Sequence, residues 1–229
     1  MTHTYDLFIG NKNYSSWSLR PWLLMTHAGI PFEEKKVRLG WEDDSPFKKT
    51  MLSLAPTGRV PLLIDDGFPI WDSLAIAETL AERFPDKQLW PRDPKQRARA
   101  RSVCAEMHSG FGELRSTFGM NLEARLPEIG ERMLREKPAA ARDLKRIDAM
   151  WDEALEASGG PFLFGGFSIA DAYFAPVCTR VRTYGLPLSS RSAAYQKHIL
   201  TLPAFLAWER EALAEHDWIP EDEPYRQRA

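Results

Sequence analysis

Nothing in this chain of 229 residues has the makings of a membrane anchor, a disulfide frame or a metal cluster. Its two cysteines, Cys104 and Cys178, lie far apart, fit neither a disulfide framework nor a ligand spacing, and leave the N-terminal third without a thiol. Five histidines are scattered singly, so no metal is expected. No apolar run approaches the roughly 18 residues a membrane span requires, and no basic segment followed by an apolar stretch opens the chain. Cytoplasmic residence away from any membrane is the expectation. A dominant charge of one sign is also missing: 30 Lys and Arg face 32 Asp and Glu for a formal net charge of −2, and the basic cluster Arg92 to Arg101 is interrupted by Asp93 and Pro94. That cluster reads as a solvated helix start, and a nucleic-acid partner is not expected. Internal repeats and low-complexity tracts are missing too.

What is present begins with Tyr5-Asp6-Leu7-Phe8-Ile9, a strand-favouring run ended by Gly10, and a helical pattern from about Trp17 to Ala28. Between them lies Asn13-Tyr14-Ser15-Ser16-Trp17-Ser18-Leu19-Arg20. A strand running into a helix aims unpaired N–H groups and the positive end of the helix dipole at the connecting turn, which favours an anion. A thiolate is such an anion. A free thiol is only about 3% ionised at pH 7, and lowering its pKa by roughly two units takes about 2.7 kcal/mol of interactions. One hydroxyl and a helix end are of that order. Serines are equally at home in this turn as simple caps.

A second segment, Gly58-Arg59-Val60-Pro61-Leu62-Leu63-Ile64, reads as a strand with proline at its start, followed by Asp65-Asp66-Gly67 and Phe68-Pro69-Ile70-Trp71 as a hairpin. A cis Val60-Pro61 bond would present the Val60 N–H and C=O to an extended peptide. Asp72-Ser73 then opens a helix carrying Leu74, Ile76, Ala77 and Leu80. Either residue serves as an N-cap. As a ligand site, serine and backbone N–H groups hold a carboxylate, while Asp accepts from an ammonium group.

Phe84 to Pro94 contains three prolines and marks a linker. Before it the order is strand, helix, strand, short helix, hairpin, helix: an α/β, thioredoxin-like domain with a mixed four-stranded sheet, residues 1–84. After the linker at 85–94, residues 95–229 carry helical periodicity throughout and form an all-α domain. Its helices are expected at about 95–122, 127–136, 138–157, 169–184 and 192–215, the last broken near Pro203. Gly165-Gly166-Phe167-Ser168-Ile169-Ala170-Asp171 has the form of a capping box.

Taken together, the serine turn, the Val-Pro strand with its Asp-Ser pair, and the capping box resemble the soluble glutathione transferases over nearly the whole chain. Ser15-Ser16-Trp17-Ser18-Leu19-Arg20 is most similar to the Ser-Ser-Cys-Ser-Trp-Arg turn of the zeta class, with Trp17 in place of cysteine. The resemblance implies glutathione as co-substrate, Ser15 as the hydroxyl that stabilises its thiolate and Ser16 as its assistant, with Tyr14 as the lesser alternative. It also implies Val60 after Arg59 and before Pro61 as the partner of the cysteinyl unit, Arg59 near the glycyl carboxylate, and Asp72 and Ser73 at the γ-glutamyl group. A homodimer follows from the same resemblance.

The electrophile is expected between the domains. Glu106-Met107-His108 and Leu114-Arg115 are similar, with a one-residue slip, to elements of bacterial zeta-class isomerases. His108, Arg115, Arg180 and Arg182 are therefore candidates for a second anion site, which would suit a dicarboxylate. Each also reads as an ordinary helix-surface or interfacial residue. Tyr184, Phe111 and Trp41 are candidates for an apolar wall. The reading is a glutathione transferase acting on a small electrophile. Its alternatives are a glutathione-dependent cis–trans isomerase and a noncatalytic protein of the same fold.

Overall fold

A computed structural model describes residues 5–226. Strand β1 (Tyr5–Ile9) buries Tyr5, Leu7 and Ile9 and occupies the middle of a four-stranded sheet in the order β2-β1-β3-β4. It pairs parallel with β2 (Glu33–Lys36) and antiparallel with β3 (Leu62–Asp65), Leu7 facing Leu63, and β3 pairs antiparallel with β4 (Phe68–Trp71). β2 contains only charged residues and lies on the edge, where such residues discourage pairing with another chain. Asp66 and Gly67, both at positive φ, make the tight turn between β3 and β4.

Helix α1 (Ser16–Ala28) follows β1 and ends on Gly29 in the left-handed conformation. Short α2 (Pro46–Leu54) is capped by the Ser45 hydroxyl on Lys48 N, and α3 (Ser73–Arg83) by the Asp72 carboxylate on Leu74 N. The Val60-Pro61 bond is cis. After a 3₁₀ turn at Pro85–Lys87 the chain is helical: α4 (Pro94–Ser109), α5 (Gly112–Thr117), α6 (Pro127–Glu136), α7 (Pro138–Ser158), α8 (Ile169–Tyr184), α9 (Ser190–Leu200) and α10 (Pro203–Ala214). The mixed sheet with its helices followed by a helical remainder is the expected fold.

The expected single helix over 95–122 is not formed. Phe111 takes a left-handed φ of 54° between two glycines, and a Cβ at Gly110 would sit 2.7 Å from Glu106 O. The chain turns there, and α4 and α5 become separate helices.

Two apolar clusters hold the molecule. The larger runs from the sheet through α1 into α8, with Trp22, Phe174, Trp151 and Trp208 all buried. The smaller gathers Tyr14, Leu39, Phe47, Met51 and Leu62 around Ile219, which arrives from the segment after α10. That segment, residues 215–226, lies across the sheet domain: Asn11 Nδ2 donates to Asp217 Oδ2 at 2.9 Å, and Lys12 N to Glu215 Oε1 at 2.8 Å. Among the described residues, no helix is long and apolar enough to cross a membrane. No group of three or more His, Cys, Asp or Glu in that range is placed to hold a metal ion.

Candidate functional site

The start of α1 opens onto a cleft of about 650 Å³ between the sheet domain and the helices. One wall carries the turn Tyr14 to Trp17, the loop around Trp41, and Arg59 with Val60; the other carries Arg115, Met120 and Arg180, with Asp222 closing one side. No side chain caps α1, and Ser15, Ser16 and Trp17 at its start line the cleft, so the positive end of its dipole lies there.

The three candidate hydroxyls of the turn are in different circumstances. Tyr14 is buried and its phenol donates to Glu223 Oε1 at 2.8 Å. Burial and that carboxylate push its pKa up, so it holds its proton away from the cleft. The Ser15 hydroxyl donates to Ser18 Oγ at 2.7 Å, and Gly10 N donates to the same oxygen, so its proton is used in bracing the turn. Ser16 accepts from Arg180 Nη2 at 3.2 Å, which leaves its own proton free and polarises the hydroxyl.

Arg180 comes from α8, is 4% exposed, and its Nε donates to Phe118 O at 2.7 Å. Both of these hydrogen bonds go to neutral oxygens. Burial, with Arg20 and Arg115 close by, pulls its pKa down to about 9, so it remains a cation at neutral pH. Arg115 reaches the same cleft from α5, with Nε on Gly110 O at 3.1 Å and its guanidinium over the Trp17 ring at 5.5 Å.

Asp72 and Ser73 stand at the start of α3, next to this region. Asp72 has φ 75° and pairs with His108 Nε2 at 3.2 Å across the domain boundary. The Ser73 hydroxyl is buried 3.0 Å from Tyr173 Oη. The His108 and Trp17 rings meet in a T-shaped contact, their centroids 5.2 Å apart. Of the candidates, Ser15, Ser16, Arg59, Val60, Arg115 and Arg180 line the cleft, Pro61 is buried, and His108 with its partner Asp72 adjoins the cleft through Trp17. Arg182 does neither: it faces α10, where it pairs with Glu209 and covers Phe205. It lies two positions after Arg180, which turns the side chains about 200° apart on a helix. Phe111 and Tyr184 are likewise core residues rather than an apolar wall, and of the three aromatic candidates Trp41 lines the cleft.

Asp222 escaped the sequence reading because helical periodicity ends near Glu215, and nothing in the following run of acidic residues and prolines indicates which one returns to the cleft. Burial and the neighbours Glu221 and Glu223 push the Asp222 carboxyl up to about 6, against a pull from the Trp41 indole.

Comparison with known proteins places this geometry. Residues 14–83 match the family model for the N-terminal domain of glutathione S-transferase, and residues 122–216 match that for its C-terminal domain. The chain is similar to maleylacetoacetate isomerase of Rattus norvegicus, at 29% identity over 197 residues, covering 85% of this chain and 87% of that one. A probable maleylacetoacetate isomerase of Caenorhabditis elegans is 28% identical, with 86% and 88% covered. Among solved structures, a glutathione transferase from Methylococcus capsulatus superposes with TM-score 0.68 at 26% identity, over 92% of this chain and 99% of that one. A glutathione transferase homolog from Burkholderia with bound glutathione gives TM-score 0.67 at 24% identity, covering 93% and 100%, a likeness of fold.

Proposed function

The chain belongs to the glutathione S-transferase family, and from that premise we propose that it is a glutathione transferase whose nucleophilic sulfur is held at Ser16. The observation that carries this is the Ser16 hydroxyl at the uncapped start of α1, accepting from the buried Arg180 guanidinium inside the interdomain cleft. Bound glutathione supplies the thiolate. Ser16 donates to its sulfur, the α1 dipole and Arg180 favour its negative charge, and Ser15 fixes the turn through Ser18. Val60 offers its backbone to the cysteinyl unit, Arg59 lies along the glycyl end, and Asp72 and Ser73 take the γ-glutamyl end. The electrophile lies between Trp41, Arg115 and Arg180.

A second reading is favoured by one specific observation, the convergence of Arg115 and Arg180 with no carboxylate in the hydrogen bonds of either among the described residues. Two guanidinium groups facing one cleft suit an electrophile with carboxylates, and the thiolate then adds to its double bond, permits rotation and departs. This is the isomerase named for the Rattus norvegicus and Caenorhabditis elegans relatives. A homodimer and a cytoplasmic setting belong to the same proposal. The exposed Phe68 and Trp71 on β4 suit the first, and sedimentation measures it.

The test is to titrate glutathione into wild type, Ser15→Ala and Ser16→Ala by calorimetry, following the ultraviolet absorbance of the thiolate. Wild type should bind with an ionised thiol at neutral pH, and Ser16→Ala should bind with the thiol protonated. If Ser16→Ala keeps the thiolate and Ser15→Ala loses it, the hydroxyl is Ser15; if wild type fails to bind glutathione, the catalytic reading falls.

A further inference from the structure

Arg20 is the least expected side chain of the interior. It is 3% exposed, on α1 one turn below Ser16, and neither Nε nor Nη1 has a hydrogen-bond partner among the described residues. An unpaired cation in that position is costly. What holds it is aromatic: its Cζ lies 4.1 Å from the centroid of Trp17 and 4.5 Å from that of Tyr173, one ring from α1 and one from α8. Burial pulls its pKa down to about 10, which still leaves it charged at neutral pH. Asp72 contributes to its electrostatic surroundings, but that carboxylate is engaged by Leu74 N at 2.8 Å and by His108 at 3.2 Å.

The Tyr173 ring that covers Arg20 carries its hydroxyl to Ser73 Oγ, 3.0 Å away and equally buried. Burial keeps Tyr173 protonated, and the cation on its ring face makes it the better donor. When Tyr173 donates to Ser73, the Ser73 proton is left to serve one acceptor at the positive end of α3. The line Arg20, Tyr173, Ser73 therefore ends where a carboxylate is wanted. We propose that Arg20 is the counter-charge of the γ-glutamyl α-carboxylate of glutathione, acting through the Tyr173–Ser73 hydroxyl pair at the start of α3. It is a positioning residue, and the proposal rests on the transferase reading above. Trp17, which stands where the zeta-class turn has cysteine, gains a role in this arrangement as the second face of the clamp that keeps Arg20 charged and in place.

The test compares two ligands by calorimetry: glutathione, and 4-aminobutyryl-cysteinyl-glycine, which keeps the amine, thiol and glycyl carboxylate but lacks the α-carboxylate. Wild type should prefer glutathione by roughly ten- to a hundredfold, the range of a hydrogen-bonded charge. In Arg20→Met the affinity for glutathione should fall about tenfold while that for the analogue holds, collapsing the preference. Tyr173→Phe keeps the ring over Arg20 and removes the relay, so it should show the same collapse; it serves as well if Arg20→Met does not fold. Equal weakening of both ligands, or an undiminished preference in Tyr173→Phe, would overturn the assignment of Arg20. Failure of wild type to bind glutathione would instead remove the transferase reading on which it rests.

Discussion

At the scale of the residue, the hydroxyls of the serine turn are distinguished by partners distant in sequence. Ser16 accepts from Arg180 and Tyr14 donates to Glu223, residues separated from them by 164 and 209 positions. Tyr14→Phe should therefore leave the ionisation of bound glutathione unchanged and cost about 1 kcal/mol of stability, the usual worth of one hydrogen bond. Thiolate absorbance together with urea denaturation checks both halves; loss of the thiolate in Tyr14→Phe would return the tyrosine to the site. The serines were legible in the sequence because the turn has a local physical signature, a strand ending at Gly10 and a helix beginning at Trp17. The choice among them was not, since no local pattern announces which arginine of α8 will reach back to the turn. Arg180 and Arg182 are indistinguishable in sequence, and only the rotation of α8 separates a cleft residue from a partner of Glu209.

At the scale of the element, the start of α8 couples capping to pH. Asp171 accepts from Ser168 N at 2.8 Å, from Ser168 Oγ at 3.0 Å and from Leu163 N at 3.1 Å, and is fully buried. Burial outweighs these donors and lifts its pKa from 3.8 to about 6. The native state thus binds the Asp171 proton more tightly than the unfolded chain does. Its contribution is full below pH 3.8 and is lost as pH rises through about 6. The stability of wild type relative to Asp171→Asn should accordingly decline across that window in denaturation curves; a difference that grew with pH would contradict the assignment. Asp171→Ala, which leaves three donors unserved in the interior, should cost on the order of 2–5 kcal/mol at neutral pH. This capping box was legible because Ser and Asp three residues apart before an apolar run carry their own geometry. The division of α4 from α5 was only half legible. Gly110-Phe111-Gly112 weakens a helix, but the left-handed Phe111 is fixed by its burial in the core. β2 was placed by order alone, since Glu33-Glu34-Lys35-Lys36 has no alternation of apolar and polar residues to read.

At the scale of the whole molecule, the serine turn is tied to α10 through a buried cation. The Lys12 side chain is 2% exposed, pairs with Glu34 at 2.6 Å and with Glu211 on α10, and lies 4.7 Å and 5.2 Å from the ring centroids of Trp22 and Trp208. Trp208 Nε1 in turn donates to Lys12 O at 3.0 Å, and Asn13 Oδ1 accepts from Leu122 N at 2.8 Å. Removing one partner of a fully buried ion pair costs about 3–5 kcal/mol, because the other is left uncompensated. Here the carboxylates are 29% and 47% exposed, and Glu34 keeps Trp22 Nε1 at 2.6 Å. Water can therefore reach both, and Lys12→Met should cost less, about 1–3 kcal/mol. The functional effect is expected to exceed what that number suggests. Lys12 is four residues from Ser16, and loosening it lets the turn move relative to Arg180, whose own position is fixed in α8 by Phe118 O. Lys12→Met should raise the pKa of bound glutathione without touching any group of the cleft, and the raised pKa should persist at temperatures well below the onset of unfolding. A Lys12→Met protein with lowered stability and an unchanged thiolate would mean that the turn keeps its shape without the clamp, and that the two domains are joined at Lys12 for folding alone.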